Sequence, residues 1–461
     1  MSLTEICFWG VYLGGLCAAV AHPIVGVGLY VLVYHLNPEY QWWGGNVHAL
    51  GLRTSFTIAV ATFIGVLLRR PRLEHGAAQF PPAVLGMLAL AAYAALSLTW
   101  SGFGERSVQQ LEKFLKIAVF TLLLVRCVRR PEHYHLVILA WLWGVFYVGY
   151  QAWGNVGLRY GGRLVEGLGG PDFAESSDLA AHLIATLPLV GAMIFTARTH
   201  LGRLFYLATG ALAVNTIIMT RTRNAIVGFV AIAVTALVSL PRGYRLKGWA
   251  GMALGTLLAT QLADPGWWRR MSTIAQYETD ASSLSRITFW RAAIQMAKDQ
   301  PLGIGVGAFQ DRVREYVPGL QTVRSAHNTF LECLAELGVP GFLTLAGVLG
   351  SVFFALWRVQ RRARQYPSDR VARCGPTRVR FHLGWHATAL RVGLAGYLTC
   401  GLFTTRLFAE DLWLLLGLSV ALVNVDRYCR GECAATDAER APEAPSFAGA
   451  WNTGQGAPAH A

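Results

Sequence analysis

His327 stands in Ser325-Ala-His-Asn-Thr-Phe-Leu-Glu332, eleven positions ahead of Gly338 in Gly338-Val-Pro-Gly341. Thr329 and Glu332 have capping-box spacing, so a helix is expected to begin just after His327 and to end at Gly338, ahead of Pro340. A helix N-terminus disfavours the cationic form of a nearby histidine, which keeps it neutral and able to accept a proton. For a lone histidine, capping or packing is the plainer role. The company around it points to chemistry. Arg221 and Arg223 lie between two apolar segments, at the edge of a bilayer where an unpaired charge costs a few kcal/mol, and Arg286 lies in the same long link as His327. Arginine carries a planar fork that fits phosphate oxygens and stays charged, so a cage for a diphosphate at the membrane surface is the functional reading. The alternative is that each arginine snorkels or pairs with Asp172, Glu175, Asp178, Glu278 or Asp280.

The elements that must position these groups are membrane helices. The chain has 461 residues, 54% of them hydrophobic and 14% charged, with mean hydropathy +0.40. Apolar stretches long enough for a bilayer follow one another almost end to end. The fold class is therefore all-α and polytopic, with about twelve transmembrane helices and one long helical loop. The net charge of +14 would suggest nucleic acid in a soluble protein, but most Arg and Lys sit in short links, as positive-inside topology requires. No nucleic-acid partner is expected. The eight Cys are scattered and form no zinc or disulfide spacing.

Read in order, residues 1–263 supply N-terminal spans, 264–341 the loop on the side of the site, 342–430 the last spans, and 431–461 a disordered cytoplasmic tail rich in Ala, Pro, Gly and Glu. Residues 5–36 are interrupted at His22-Pro23, giving two pieces each short for a crossing. A broken helix kinked at Pro23 would make one net crossing, and two crossings would raise the count by one. Basic links at Arg69-Arg70-Pro71-Arg72, Arg129-Arg130, Arg242 to Lys247 and Arg358 to Arg380 mark the cytoplasmic face. Arginines and lysines that break this pattern, from Arg106 and Lys113 through Arg159, Arg163, Arg269, Arg270 and Arg312 to Arg324, gather on the opposite face.

Within the long loop, residues 285–298 read as an amphipathic helix lying on the membrane. Ile287, Trp290, Ile294 and Ala297 form its apolar stripe, and Ser282, Ser283 or Ser285 its cap. Gly303-Ile-Gly-Val-Gly-Ala-Phe309 tempts as a phosphate cradle but lacks a Lys-Ser/Thr ending and a preceding strand, so a turn between helices is expected.

Taken together, His327 with Gly338-Val-Pro-Gly341, Met271-Ser-Thr-Ile with Asp280 to Trp290, Leu111-Glu-Lys-Phe-Leu-Lys116, Pro23 to Tyr30 with Asn37-Pro38, and Arg223-Asn-Ala-Ile-Val resemble the O-antigen ligase family of membrane glycosyltransferases. Within it the chain is most similar to the O-glycosylation ligases that accompany exosortase systems. The resemblance covers roughly residues 5–357. It implies transfer of a glycan from undecaprenyl diphosphate to an acceptor hydroxyl, on lipid A-core or on protein Ser/Thr, at the periplasmic face of a bacterial inner membrane. It also implies no metal, and no other cofactor is expected; an inverting displacement at the anomeric carbon is the expected mechanism. His327, Arg223 and Arg286 match the catalytic positions. Arg163 matches an outer-loop arginine, and Arg221, Arg291 and Asn328 join it as expected substrate contacts. Two departures stand out: Val227 in place of the usual Leu, and Ser176-Ser-Asp178 in place of an Asn-Asn-Asp.

The implied reaction needs charge stabilisation on a good leaving group at least as much as it needs a base. Polysaccharide polymerases share the pattern, with another lipid-linked glycan as acceptor. A lipid or solute transporter, or a scaffold for envelope assembly, are the readings from other classes.

Overall fold

The computed structural model describes residues 2–69, 81–102, 104–166, 168, 170–240, 242–272, 281–364 and 382–440. Arg70 to Arg72, Met271-Ser-Thr-Ile beyond Ser272, Glu278, Asp280, the basic residues Arg370 to Arg380 and the tail from 441 lie outside the described residues.

The architecture is all-α and polytopic. Seven described helices are long and apolar enough to cross a membrane by length and composition: Leu3–Ala21 (α1), Pro82–Ser101 (α5), Pro131–Trp153 (α7), Ser176–Thr196 (α8), His200–Thr220 (α9), Thr329–Ala363 (α15) and Glu410–Arg430. The last belongs to α17, which runs from Glu410 to Arg440. Shorter apolar helices are Thr54–Arg69 (α4) and Arg223–Ser239 (α10). The remaining expected spans are helical too, within Glu105–Cys127 (α6), Arg242–Leu262 (α11) and Leu383–Cys400 (α16).

Proline sets the first break. His22 is extended (φ −137°, ψ 91°) and Pro23 opens Pro23–Leu36 (α2), as expected when a proline ring pushes its predecessor out of the helical region. The expectation that both pieces are short holds only for α2, which has 14 residues; α1 has 19 and is long enough to cross by itself. The helical reach of α17 also extends ten residues into the segment expected to be a disordered tail. One large core runs through the bundle, anchored by the buried Trp141, Tyr134, Phe120 and Trp413.

Between α7 and α8 the sequence folds into something not expected from it, a two-stranded hairpin of Leu158–Tyr160 (β1) and Arg163–Glu166 (β2). Gly161 and Gly162 both take positive φ, 55° and 78°, which only glycine adopts freely in a two-residue reversal. The turn sets Arg163 opposite Tyr160 at the start of β2.

The long loop folds as Pro265–Ser272 (α12), Ala281–Asp299 (α13), Phe309–Tyr316 (α14) and the first half of α15. It has its own small core. Phe289, Ala292, Ala293 and Met296 of α13 are buried against Ile304, Phe309, Val313 and Ala335. This corrects the expected stripe: Ile294 is exposed, and the true face is rotated from Ile287-Trp290-Ile294-Ala297 because the helix packs on the loop's own core. The helix also starts earlier than expected, so Ser285 lies inside it instead of capping it.

Gly338 divides α15. Its backbone (φ 61°, ψ −167°) is not helical, and a side chain there would collide with the backbone of Pro301 to Gly303. The 303–307 turn caps the first half: Ile304 N–H donates to the Ala335 carbonyl and Gly305 N–H to the Glu336 carbonyl, each at 2.9 Å. Phe309 N–H donates to Glu336 Oε1 at 3.2 Å. The glycine run is thus the expected turn, and the acceptor at its far end is the chain's own Glu336 carboxyl. Gly338→Ala is expected to destabilise the protein by at least about 2 kcal/mol, since it adds both a forbidden φ and a clash. An unchanged thermal midpoint in detergent would contradict this account.

Candidate functional site

His327 is itself in the left-handed region (φ 47°), where a non-glycine residue is uncommon and marks strain worth explaining. Neighbours on both sides fix it there. Trp290 Nε1 donates to the Ala326 carbonyl at 3.0 Å, and Ala326 N–H donates to Glu332 Oε2 at 2.7 Å. After it, Asn328 caps α15, its Oδ1 accepting from Phe330 and Leu331 N–H at 3.0 Å each. Thr329 N–H donates to the Gly401 carbonyl at 2.8 Å.

The helix start was expected to be capped by Thr329 with Glu332. The cap is Asn328, one residue earlier, because Thr329 Oγ1 is committed to the Thr404 carbonyl (2.8 Å) and accepts from Arg406 N–H (3.0 Å). Glu332 serves the loop, accepting also from Thr405 Oγ1 at 2.7 Å. Asn328, expected to touch substrate, has its carbonyl oxygen occupied by this cap.

Burial, then Arg286, then Arg324, pushes the His327 imidazole down to about 4, with Asp178 opposing them. The ring is neutral at pH 7. Glu175 Oε2 lies 3.9 Å from its Nδ1, too far for a direct hydrogen bond but close enough to offset a charge forming on the ring.

Arginines converge beside it. Arg163 is pushed down to about 10 by burial first, and then by Arg270, Arg223, Arg221 and Arg286. One guanidinium thus reports four others around it. Arg163 is braced, its Nε donating to the Thr220 carbonyl at 2.9 Å and its Nη2 to Ser176 Oγ at 2.7 Å. Arg221, also left-handed (φ 47°), ends α9 and reaches the Gly161 carbonyl (2.8 Å) and Asp264. Gly162 and Gly266 flank its guanidinium so closely that a Cβ at Gly162 would lie 2.9 Å from Arg221 Nη2. Arg223 opens α10, where the helix dipole adds to its charge. Arg286 sits on α13 and acts on both Arg163 and His327. Such a concentration of like charge in a partly buried place is an environment that a polyanion would neutralise.

Arg291 does not join them. It is exposed and about 140° round α13 from Arg286 at 100° per residue. Arg270, recognised from sequence only as one of many outward arginines, takes its place in the cluster. Among the described residues no group of three or more His, Cys, Asp or Glu is placed to hold a metal ion.

Sequence reading missed Arg406 entirely. Buried in the loop between α16 and α17, it donates from Nη2 to Asp411 Oδ1 (2.7 Å), from Nε to Tyr397 Oη (3.0 Å) and from Nη1 to the Asp172 carbonyl (2.7 Å). Its Nη1 also lies 3.1 Å from Asp178 Oδ2. Asp178 accepts from Thr404 Oγ1 at 2.5 Å, and His182 Nδ1 lies 3.3 Å from Asp411 Oδ2. This buried network ties the 401–406 loop and the start of α8 to the N-terminus of α15, and so holds the floor under His327. Ionisable residues within or beside apolar segments are the one signal that could have found it.

An all-helical fold with seven described helices long and apolar enough to cross a membrane defines the class, a polytopic membrane protein. Residues 208–346 match the family model described as O-Antigen ligase. The match takes in Arg221, Arg223, Arg270, Arg286 and His327, so this stretch of the chain is similar to the O-antigen ligase family. A search of curated proteins found no match.

Proposed function

We propose that this protein transfers a glycan from undecaprenyl diphosphate to an acceptor hydroxyl on the periplasmic face of the inner membrane, by inverting displacement. Arg163, Arg221, Arg223, Arg270 and Arg286 hold the diphosphate and offset the charge that grows on it as it leaves. His327 takes the proton of the attacking hydroxyl, and Glu175 steadies the imidazolium that results. The observation that carries this reading is a group of five arginines, Arg163 with four acting on it, next to His327: Arg163 bonds Ser176 at 2.7 Å, and the preceding Glu175 lies 3.9 Å from His327.

The direct test is transfer by the purified protein in nanodiscs with an undecaprenyl-diphosphate glycan, offered lipid A-core, a Ser/Thr peptide or the same lipid-linked glycan as acceptor. Product that needs His327 supports the reading, and the productive acceptor separates ligase from polymerase. Donor binding without product on any acceptor would overturn it.

The acid limb of the pH profile follows from the sign of the shift. His327 works as the neutral base, and its folded value of about 4 lies below the ordinary 6.5. Activity is therefore expected to persist as pH falls through 6.5 and to be lost only on approaching about 4. Arg286→Ala removes one cause of the lowering, so its limb in kcat/KM should move to higher pH. A limb near 6.5 that ignores Arg286→Ala would contradict the assignment.

A further inference from the structure

A recess of about 720 Å³ opens between α2, α4 and α6, with residues 170–173 and Glu410 also in its lining. Its wall is apolar and outward-facing: Phe56, Val60 and Phe63 of α4 and Leu115 and Val119 of α6 are all exposed large hydrophobics. From Thr54 to Phe63 it descends nine residues of helix, about 14 Å, or roughly half of a hydrocarbon core. That is the shape of a berth for acyl chains of one leaflet.

The polar end says what headgroup belongs there. Its cations are already matched, Lys113 by Asp172 at 2.6 Å and Lys116 by Glu112, with Arg53 4.0 Å from the same Glu112. Two further carboxylates line the recess, Glu39 and Glu410. Glu39 Oε1 accepts only a long bond from Thr54 N–H at 3.4 Å. Glu410 Oε1 is buried with no hydrogen-bond partner among the described residues, although Tyr30 lies against the same carboxyl group. A buried carboxylate oxygen without a donor is costly and calls for one.

We infer that this recess binds a zwitterionic aminophospholipid, its ammonium donating to Glu410 beside Glu39, its phosphate near the half-exposed Lys113 and Lys116, and its chains against Phe56, Val60 and Phe63. An anionic headgroup would meet the surplus carboxylates, and a trimethylammonium has no N–H to give. The site is separate from the arginine cluster. Asp172 joins the recess to the buried Arg406 network, its side chain lining the recess while its backbone carbonyl accepts from Arg406.

The test is native mass spectrometry of the full-length protein after exchange into equimolar phosphatidylethanolamine, phosphatidylcholine and phosphatidylglycerol with matched dioleoyl chains. Phosphatidylethanolamine is expected to be retained over the other two by about tenfold or more, as for a charged hydrogen bond to a buried group. Glu410→Gln should bring its ratio to phosphatidylcholine near one. Val60→Trp, a change on a surface facing lipid, should displace all three by filling the recess. Equal retention of the three lipids by the native protein, or retention unmoved by both substitutions, would overturn the inference. So would displacement of the retained lipid by undecaprenyl diphosphate, since the recess would then belong to the donor's chain.

Discussion

His327→Gly is expected to abolish glycan transfer while leaving the thermal midpoint unchanged or raised. Glycine takes φ 47° without the penalty a Cβ meets there, whereas His327→Ala keeps that penalty. The two variants should be equally inactive, by about 10²–10⁴-fold, with Ala the less stable. The order of stability is what separates catalysis from architecture. The loop does not depend on the imidazole, because its hydrogen bonds run through the backbone of Ala326 and the side chain of Asn328 on either side. Activity and thermal midpoint, measured on the same preparations, decide it: activity lost only in step with the midpoint would make His327 a packing residue.

Arg223→Ala and Arg286→Ala should each lower kcat/KM by about 10²–10³-fold, the size expected when one preorganised donor to a developing oxyanion is removed. Lysine at either place should recover only part of it, since a point charge cannot reproduce the fork. Both variants should stay folded. Arg223 and Arg286 both act on Arg163, so deleting either lowers the positive charge around it. Added undecaprenyl diphosphate should raise the midpoint of the native protein through binding linkage and raise that of the double variant far less. Full activity of Arg223→Ala would remove the diphosphate cage.

Much of this was legible because single residue types carried it. Apolar length gave the polytopic fold, and proline the break at residue 23. Helix ends were less legible. Capping-box spacing pointed to Thr329 where Asn328 holds the cap, since the competing partner, the Thr404 carbonyl, lies 75 positions away in sequence. The stripe of α13 was misread because its amphipathic pattern was assumed to meet lipid, when it meets the loop's own core. The hairpin at Gly161-Gly162 and the Arg406 network were invisible for a related reason. Strands of three and four residues carry little periodicity, and Arg406 matters through partners drawn from separate stretches of chain.

The break at Gly338 has a mechanical consequence. A continuous helix would carry any change of tilt from its lipid-embedded half straight to the histidine at its start, and helices tilt when bilayer thickness changes. Here the first half is fastened to the 301–307 turn, and Val339 N–H donates to the Pro301 carbonyl at 2.9 Å, so the joint lies between the fastened part and the embedded part. Reorientation of the embedded half is taken up at the joint. The distance from His327 to the arginines should therefore be much the same in thin and thick membranes, and transfer rates should compare closely between nanodiscs of short- and long-chain lipids.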